Sequence, residues 1–246
     1  MKLSVIICCY NERNSIREVI EKSRQVDLGR GWDKEIIVVD NFSTDGTREI
    51  LQALDVGGVR VIYHERNMGK GRSIRTGFEH AGGTYYFIQD ADTEYDPFEQ
   101  AKFCRKVEKT GAAAVFGSRV LGGEVKSRYL RTLLGNRLIT AMANVLFGGH
   151  LTDVATASKM VRADLVQSLQ LTGDHFDLDF ELPAKILLAG HQIEEIPISY
   201  RPRSYEEGKK IGGRDFVQAT WSMLKVRLGL SPVFKQAAAT AELRNS

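Results

Sequence analysis

Five short, mostly apolar runs, each followed by polar turn residues, most constrain what this chain can fold into. They cover residues 3–9, 35–39, 59–63, 84–88 and 112–116. Between them lie stretches with helical spacing at 14–26, 44–54 and 71–80, and a further helix opened by Asp96-Pro97. Asp96 suits the cap and Pro97 the first helical position. Ser43 or Thr44 is the expected N-cap of the helix over 44–54. Strands apolar on both sides must be covered on both sides. Alternating with helices, they predict an α/β fold with a mainly parallel sheet between helix layers.

From about residue 118 the pattern changes. A long helix is expected over 128–147, a short strand over 157–161, a helix over 180–188 and a strand over 192–200. The last helix, 216–228, places Val217, Trp221, Leu224 and Leu228 on one stripe. That stripe either packs on the domain or, with Lys209, Lys210, Lys225 and Arg227 nearby, meets an anionic bilayer surface. The whole reads as one domain over 1–230, with halves at 1–117 and 118–230 and a tail at 231–246.

Composition removes several classes. Lys and Arg exceed Asp and Glu by only 34 to 31, too weak a bias for a nucleic-acid binder. Cys8, Cys9 and Cys104 have no zinc-site spacing and read as free thiols in a reducing cytoplasm. The opening apolar run meets Asn11-Glu12 too soon for a signal peptide. The stretch 130–147 is interrupted by Arg131, Asn136, Arg137 and Asn144, which argues against a span. The expectation is a cytoplasmic protein, at most peripheral on the cytoplasmic membrane face.

In an open α/β sheet, ligands sit beyond the carboxyl ends of the strands. Those ends carry Tyr10-Asn11-Glu12, Asp40-Asn41, Asn67-Met68-Gly69-Lys70-Gly71, Asp90-Ala91-Asp92 with Glu94, and Gly117-Ser118-Arg119. If the chain stays extended, Asp90, Asp92 and Glu94 share a face and suit Mg²⁺, which takes one or two carboxylates and fills its shell with phosphate oxygens and water. The alternative is a solvated acidic loop. Asp40 either caps a turn or accepts from a base N–H or ribose hydroxyl. Gly69 and Gly71 are turn glycines, or they let the backbone approach a ligand with Lys70 beside a phosphate. Arg119 is a surface arginine or, the favoured reading, an anion contact. Asp179 is a helix-start acid or a site residue, and His175 is structural, the favoured reading, or catalytic. The loop 206–212 is a solvated charged loop or a cover over an anion. Neither a Gly-x-Gly-x-x-Gly nor a P-loop is present, so the acidic cluster suits a metal-neutralised nucleotide diphosphate better than a dinucleotide.

Together these motifs resemble the family 2 glycosyltransferases of the GT-A fold. The branch they are most similar to is that of the dolichyl-phosphate mannose synthase-like, or polyprenyl-phosphate hexose synthase-like, enzymes. The resemblance rests on Ser4-Val5-Ile6-Ile7, Tyr10-Asn11-Glu12, Ile36-Ile37-Val38-Val39-Asp40 with Ser43-Thr44-Asp45-Gly46-Thr47, and Asn67-x-Gly69-Lys70-Gly71. It continues through Asp90-Ala91-Asp92, Tyr95-Asp96-Pro97, Gly117-Ser118-Arg119, Leu151-Thr152-Asp153 and Ile196-Pro197-Ile198-Ser199-Tyr200 with Arg203.

The resemblance implies a mainly parallel, Rossmann-like sheet flanked by helices, a nucleotide-sugar-binding first half and acceptor-side helices in the second. It implies that Cys9, Tyr10, Glu12, Val39, Asp40, Asn41, Lys70, Asp90 and Ala91 bind the nucleotide. Asp90, Asp92 and Glu94 would hold Mg²⁺ or Mn²⁺. Arg119, Arg131, Arg201 and Arg203 would face the acceptor phosphate and donor diphosphate. Asp92, Arg119, Arg131, Asp179 and Arg203 would carry catalysis.

The implied reaction is inverting transfer of a hexose from a GDP-mannose or UDP-glucose type donor to a polyprenyl or dolichyl phosphate. A phosphate acceptor is largely ionised at neutral pH and needs little general base. The alternative, a soluble sugar or small-molecule hydroxyl, would need a base, with Asp179 or Asp177 as candidates. A nucleotide-sugar-binding module without turnover is the reading from another class. No sequence feature selects the base, the sugar or the oligomeric state. The chain departs from the family pattern at Cys9, usually Pro, at Asn41-Phe42, usually Asp-Gly, and at Ala157-Ser158, usually Gly or Cys plus an aromatic. No C-terminal spanning helices, such as many relatives have, are expected in residues 1–246.

Overall fold

A computed structural model describes residues 1–54, 56–122, 130–202 and 213–230. Seven strands form one sheet in the order β3-β2-β1-β4-β6-β5-β7. The strands are β1 Lys2–Cys9, β2 Asp33–Asp40, β3 Val59–Tyr63, β4 Tyr85–Asp90, β5 Ala114–Ser118, β6 Lys159–Arg162 and β7 Glu194–Pro197. All neighbours pair in parallel except β6, which runs antiparallel to both β4 and β5. The helices are α1 Ile16–Gln25, α2 Thr47–Gln52, α3 Lys70–His80, α4 Gln100–Thr110, α5 Leu130–Phe147, α6 Ala163–Leu169, α7 Leu178–Leu188 and α8 Gly213–Arg227.

Period-two alternation explains why β1 needs cover on both faces. Leu3, Val5, Ile7 and Cys9 enter the same core cluster as Ile16, Val19 and Ile20 of α1 and Phe103 and Val107 of α4. Ile6, between them, packs with Ile74 of α3 and Leu178 and Leu182 of α7 on the opposite face. A third cluster joins α5, α7 and α8 through Ile139, Ala143, Ala184, Ala219 and Met223.

The chain turns back between β3 and β4. Strand β1 therefore sits between β2 and β4, and the crevice beyond its carboxyl end is where such a sheet binds ligands. The Asp96-Pro97 start is as expected: the Asp96 carboxylate accepts from the Phe98 N–H, and a 3-10 turn at Pro97–Glu99 leads into α4.

Two expectations need correction. Helix α2 starts at Thr47, not 44, because Ser43 and Thr44 are used elsewhere. The Ser43 hydroxyl accepts from the Asn11 N–H at 3.0 Å, the Thr44 N–H donates to Asn11 Oδ1, and Asp45 accepts from the Thr47 N–H. Helix α6 follows β6 where the sequence pattern predicts no helix. Of the two readings of the α8 stripe, packing on the domain is not the one found: Val217, Trp221 and Leu228 are exposed and Leu224 is half-buried, while Ala219, Met223 and Val226 make the buried face. Among the described residues, no helix is long and apolar enough to cross a membrane.

Candidate functional site

A cavity of about 430 Å³ opens at that crevice. Strand β1 and the turn after it contribute Cys8, Cys9, Tyr10 and Glu12. Asn41 follows β2, and Lys70 opens α3. Asp90, Ala91, Asp92 and Glu94 come from the end of β4 and the turn beyond it. The second half supplies Arg119, Phe176, Asp179 and Tyr200. Most residues expected in the site thus meet in one place.

The acidic segment is not extended. Strand β4 ends at Asp90, and the chain then bends, with the Glu94 N–H donating to Asp92 Oδ1 at 3.0 Å. The Lys70 ammonium lies 2.9 Å from Asp90 Oδ1, and the Tyr200 hydroxyl donates to Glu94 Oε2 at 3.1 Å. Among the described residues, no three His, Cys, Asp or Glu side chains are already grouped to hold a metal ion. The ready three-carboxylate set expected from the spacing is therefore not preassembled. Still, all three acids line the cavity with oxygen ligands only. That donor set fits a hard divalent cation that completes its shell with phosphate oxygens.

Lys70 is shared: its ammonium also lies 3.4 Å from Asp179 Oδ2. Asp179 Oδ1 in turn accepts from the Lys159 ammonium at 3.1 Å, and Lys159 is fully buried. Burial alone would lower the Lys70 pKa, but the Asp179 and Asp90 carboxylates outweigh it and hold the group above its ordinary value. Burial would raise Asp179, yet Lys159 and Lys70 outweigh it and hold the carboxyl below its ordinary value. Lys159 goes the other way. Burial lowers it, and the Asp179 and more distant Asp90 carboxylates, opposed by the Lys70 charge, do not compensate.

Arg119 is expected to contact an anion. Its guanidinium forks onto Asp153, with Nε 2.6 Å and Nη2 2.7 Å from the two oxygens, and lies 5.0 Å from the Tyr200 ring centre. It lines the cavity already neutralised. Tyr95 stands beside Tyr200 with ring centres 5.1 Å apart, and burial pushes its hydroxyl up to about 12.

Val39 and Asp40 do not line the cavity. Val39 is sealed in the sheet, and Asp40 is fully buried. Asp40 accepts from Arg48 Nε at 2.6 Å and from the Ser43 N–H at 3.1 Å, so both oxygens are engaged within the protein. Arg48 itself sits near the rings of Phe42 and Tyr63. Asn41 lines the cavity instead, and its side chain braces the next loop. Its Oδ1 accepts from the Met68 N–H and meets His64 Nδ1, while its Nδ2 donates to Asn67.

Gly69 and Gly71 do permit a close approach, but of the chain's own backbone. A Cβ on Gly69 would fall on the Asp174 carbonyl and the His175 ring, and one on Gly71 would lie 2.6 Å from the His175 carbonyl oxygen. Arg201 lines a neighbouring groove of about 680 Å³ rather than this cavity. The Arg131 side chain, Arg203 and the loop 206–212, with Lys209 and Lys210, lie outside the described residues. Sequence reasoning missed Lys159, Phe176 and Tyr95 as parts of the site. Lys159 carried a signal, since a lysine inside an apolar strand needs a buried partner.

The sheet order and the cavity at its crevice are those of the GT-A fold. Solved structures support the fold. A glucosyl-3-phosphoglycerate synthase from Mycobacterium tuberculosis superposes with a TM-score of 0.67 at 19% identity, covering 92% of this chain and 80% of that one. A mannosyl-3-phosphoglycerate synthase from Rubrobacter xylanophilus gives 0.66 at 16% identity, covering 97% and 75%. The profile for Glycosyl transferase family 2 matches residues 4–169, and the chain belongs to that family. It is 29% identical over 221 residues to a dolichol-phosphate mannosyltransferase of Pyrococcus furiosus, covering 86% of this chain and 60% of that protein. It is 28% identical over 207 residues to a low-salt glycan biosynthesis hexosyltransferase of Haloferax volcanii, covering 83% and 49%. The chain thus spans roughly half to three fifths of the length of these relatives.

Proposed function

We propose that this enzyme is an inverting, metal-dependent hexosyltransferase. Its donor is a nucleotide-diphosphate sugar of the GDP-mannose or UDP-glucose type. Its acceptor is a polyprenyl or dolichyl phosphate.

The observation that carries the acceptor class is the position of Asp179 between two ammonium groups. A hydroxyl acceptor needs a base that takes a proton in the transition state. Asp179 is held ionised and weakly basic by Lys159 and Lys70. The other candidate, Asp177, does not line the cavity, and its Oδ1 accepts from the His175 N–H at 2.8 Å. A phosphate acceptor arrives largely ionised and needs no such base. The similarity to a dolichol-phosphate mannosyltransferase supports the same class.

In this reading Cys9, Tyr10, Glu12, Asn41 and Ala91 line the nucleotide, and Lys70 reaches a donor phosphate. Asp90 and Asp92, with Glu94, would hold Mg²⁺ or Mn²⁺, which when bound supplies positive charge for the departing diphosphate. A related fold, the M. tuberculosis synthase, has been solved with Mn²⁺ and UDP-glucose. Arg119, which lines the cavity paired to Asp153, is the proposed acceptor-phosphate contact there, with Arg201 at the neighbouring groove; Arg131 and Arg203 stay assigned to the acceptor phosphate by the family resemblance alone. The exposed Val217, Trp221 and Leu228 beside Lys225 and Arg227 support peripheral contact with a lipid surface.

The test offers UDP-glucose and GDP-mannose, with Mn²⁺, to a short polyprenyl phosphate and to a soluble sugar hydroxyl. Transfer to the lipid phosphate is expected. Transfer to the hydroxyl alone would overturn the acceptor, and donor binding without any transfer would favour the binding-module reading. Asp92→Asn is expected to abolish turnover with the fold intact by circular dichroism. Near-normal turnover in that variant would remove the metal assignment.

A further inference from the structure

Four charged side chains at the cavity floor alternate in sign: Asp90, Lys70, Asp179 and Lys159. The successive separations are 2.9, 3.4 and 3.1 Å. Side-chain exposure falls along the row, from 19% at Asp90 and Lys70 to 11% at Asp179 and 0% at Lys159. Two acids and two bases leave the row neutral, which suits groups so poorly hydrated. The inner end is fixed. The Lys159 ammonium also donates to the Thr156 carbonyl and has no route to water. The outer end is hinged on a rigid base, because Lys70 opens α3 where Gly69 and Gly71 lock under the backbone of 173–175.

We propose that Lys70 is a tethered counter-ion for Asp90, which makes divalent-metal binding at the acidic segment conditional on the donor diphosphate. The proposal rests on the donor reading above. A bare divalent cation that takes Asp90 displaces the Lys70 ammonium from its nearer carboxylate. Two ammonium groups then share the single charge of Asp179 in a site with little water. A diphosphate arriving with the cation reverses the balance, because its oxygens receive both the metal and the released ammonium. Metal and nucleotide therefore bind as a coupled pair. By linkage, each strengthens the other by the same factor. Displacing a charge-assisted contact of this kind sets that factor at roughly 10- to 100-fold.

The experiment titrates Mn²⁺ into the full chain and reads free Mn²⁺ by electron paramagnetic resonance, alone and with UDP or GDP. In the unaltered protein one of the two nucleotides is expected to tighten Mn²⁺ binding about tenfold or more. Lys70→Gln should tighten Mn²⁺ binding without nucleotide by about the same factor, and the nucleotide enhancement should shrink to match. Asp179→Asn should act in the opposite sense. It leaves Lys70 with Asp90 as its one carboxylate of the row, so Mn²⁺ alone binds more weakly.

Nucleotide-enhanced binding in the unaltered protein with no tightening in Lys70→Gln would overturn the role of Lys70 and leave the donor reading standing. So would tighter Mn²⁺ binding in Asp179→Asn, which decides the matter if Lys70→Gln fails to fold. No Mn²⁺ binding with either nucleotide in the unaltered protein would overturn both.

Discussion

Three glycines separate two costs that a side chain imposes on this fold. Gly46 has φ +102 and nothing within 4 Å of where a Cβ would stand, so the cost of Gly46→Ala is one of backbone conformation alone. A residue held in such a region costs about 1–3 kcal/mol. Gly71 has ordinary φ, but a Cβ there lies 2.6 Å from the His175 oxygen and 2.7 Å from the Gly173 oxygen. Overpacking against backbone costs about 1–3 kcal/mol, offset by up to ~1 kcal/mol of helix propensity. Gly69, at φ +93 and facing the same backbone, carries both penalties. It also guards the Arg72 N–H bond to the Asp174 carbonyl. Gly69→Ala should therefore lose about 2–5 kcal/mol, on the order of 10 °C in melting temperature for a chain of this size. Urea unfolding and thermal melts of the three variants give the ordering directly. If Gly69→Ala melts within ~2 °C of Gly46→Ala, the 173–175 backbone does not press on the start of α3, and the argument fails.

His64, buried between Asn41 and Thr76, has its pKa lowered first by burial. A lowered folded value means the unfolded chain binds more protons, so this stability is present above about 6.5 and is lost as pH falls below it. Melting temperature should drop between about pH 7 and 5.5, and His64→Gln should flatten that slope; an unchanged slope refutes the assignment. Asp153→Asn strips the Arg119 fork of its charge partner and should cost about 3–5 kcal/mol by urea unfolding. A loss under ~1 kcal/mol would mean that water already shares the pair. Met223→Ala should cost about 2–5 kcal/mol, while Trp221→Ser stays within ~0.5 kcal/mol; the reverse order would put the predicted stripe back in the core.

Strand and helix positions were legible where burial is two-sided. The runs at 3–9 and 35–39 need no context to read as strands, since nothing but a covered sheet accepts them. The acids and Lys70 were legible as strand-end residues for the same reason. What sequence spacing could not supply was the partner of each charge. Asp40 looked available for a nucleotide, but Arg48, eight residues on, takes it. Arg119 looked like an anion contact, but Asp153 comes back to it from 34 residues away. On α8, large side chains marked a stripe that could face either way, and the close approach to α5 and α7 selects Ala219 with Met223 and leaves Trp221 outside. The direction of β6 was equally hidden, because a strand as short as Lys159–Arg162 reads the same both ways.

Strand β6 has a consequence for how the chain can be made. It lies between β4 and β5 and pairs with both, so β5 and β7 reach the rest of the sheet only through it. A nascent chain that has completed β4 exposes that edge until β6 emerges about seventy residues later. At ribosomal speeds of about 5–20 residues per second, the gap lasts several seconds. An apolar edge left open that long invites pairing with other chains. For the same reason, severing the chain near residue 118 cannot give two pieces that each close a sheet, and co-expressed fragments would have to interleave strands to regain one. Lys159, at the start of the late strand, arrives only when the sheet is sealed.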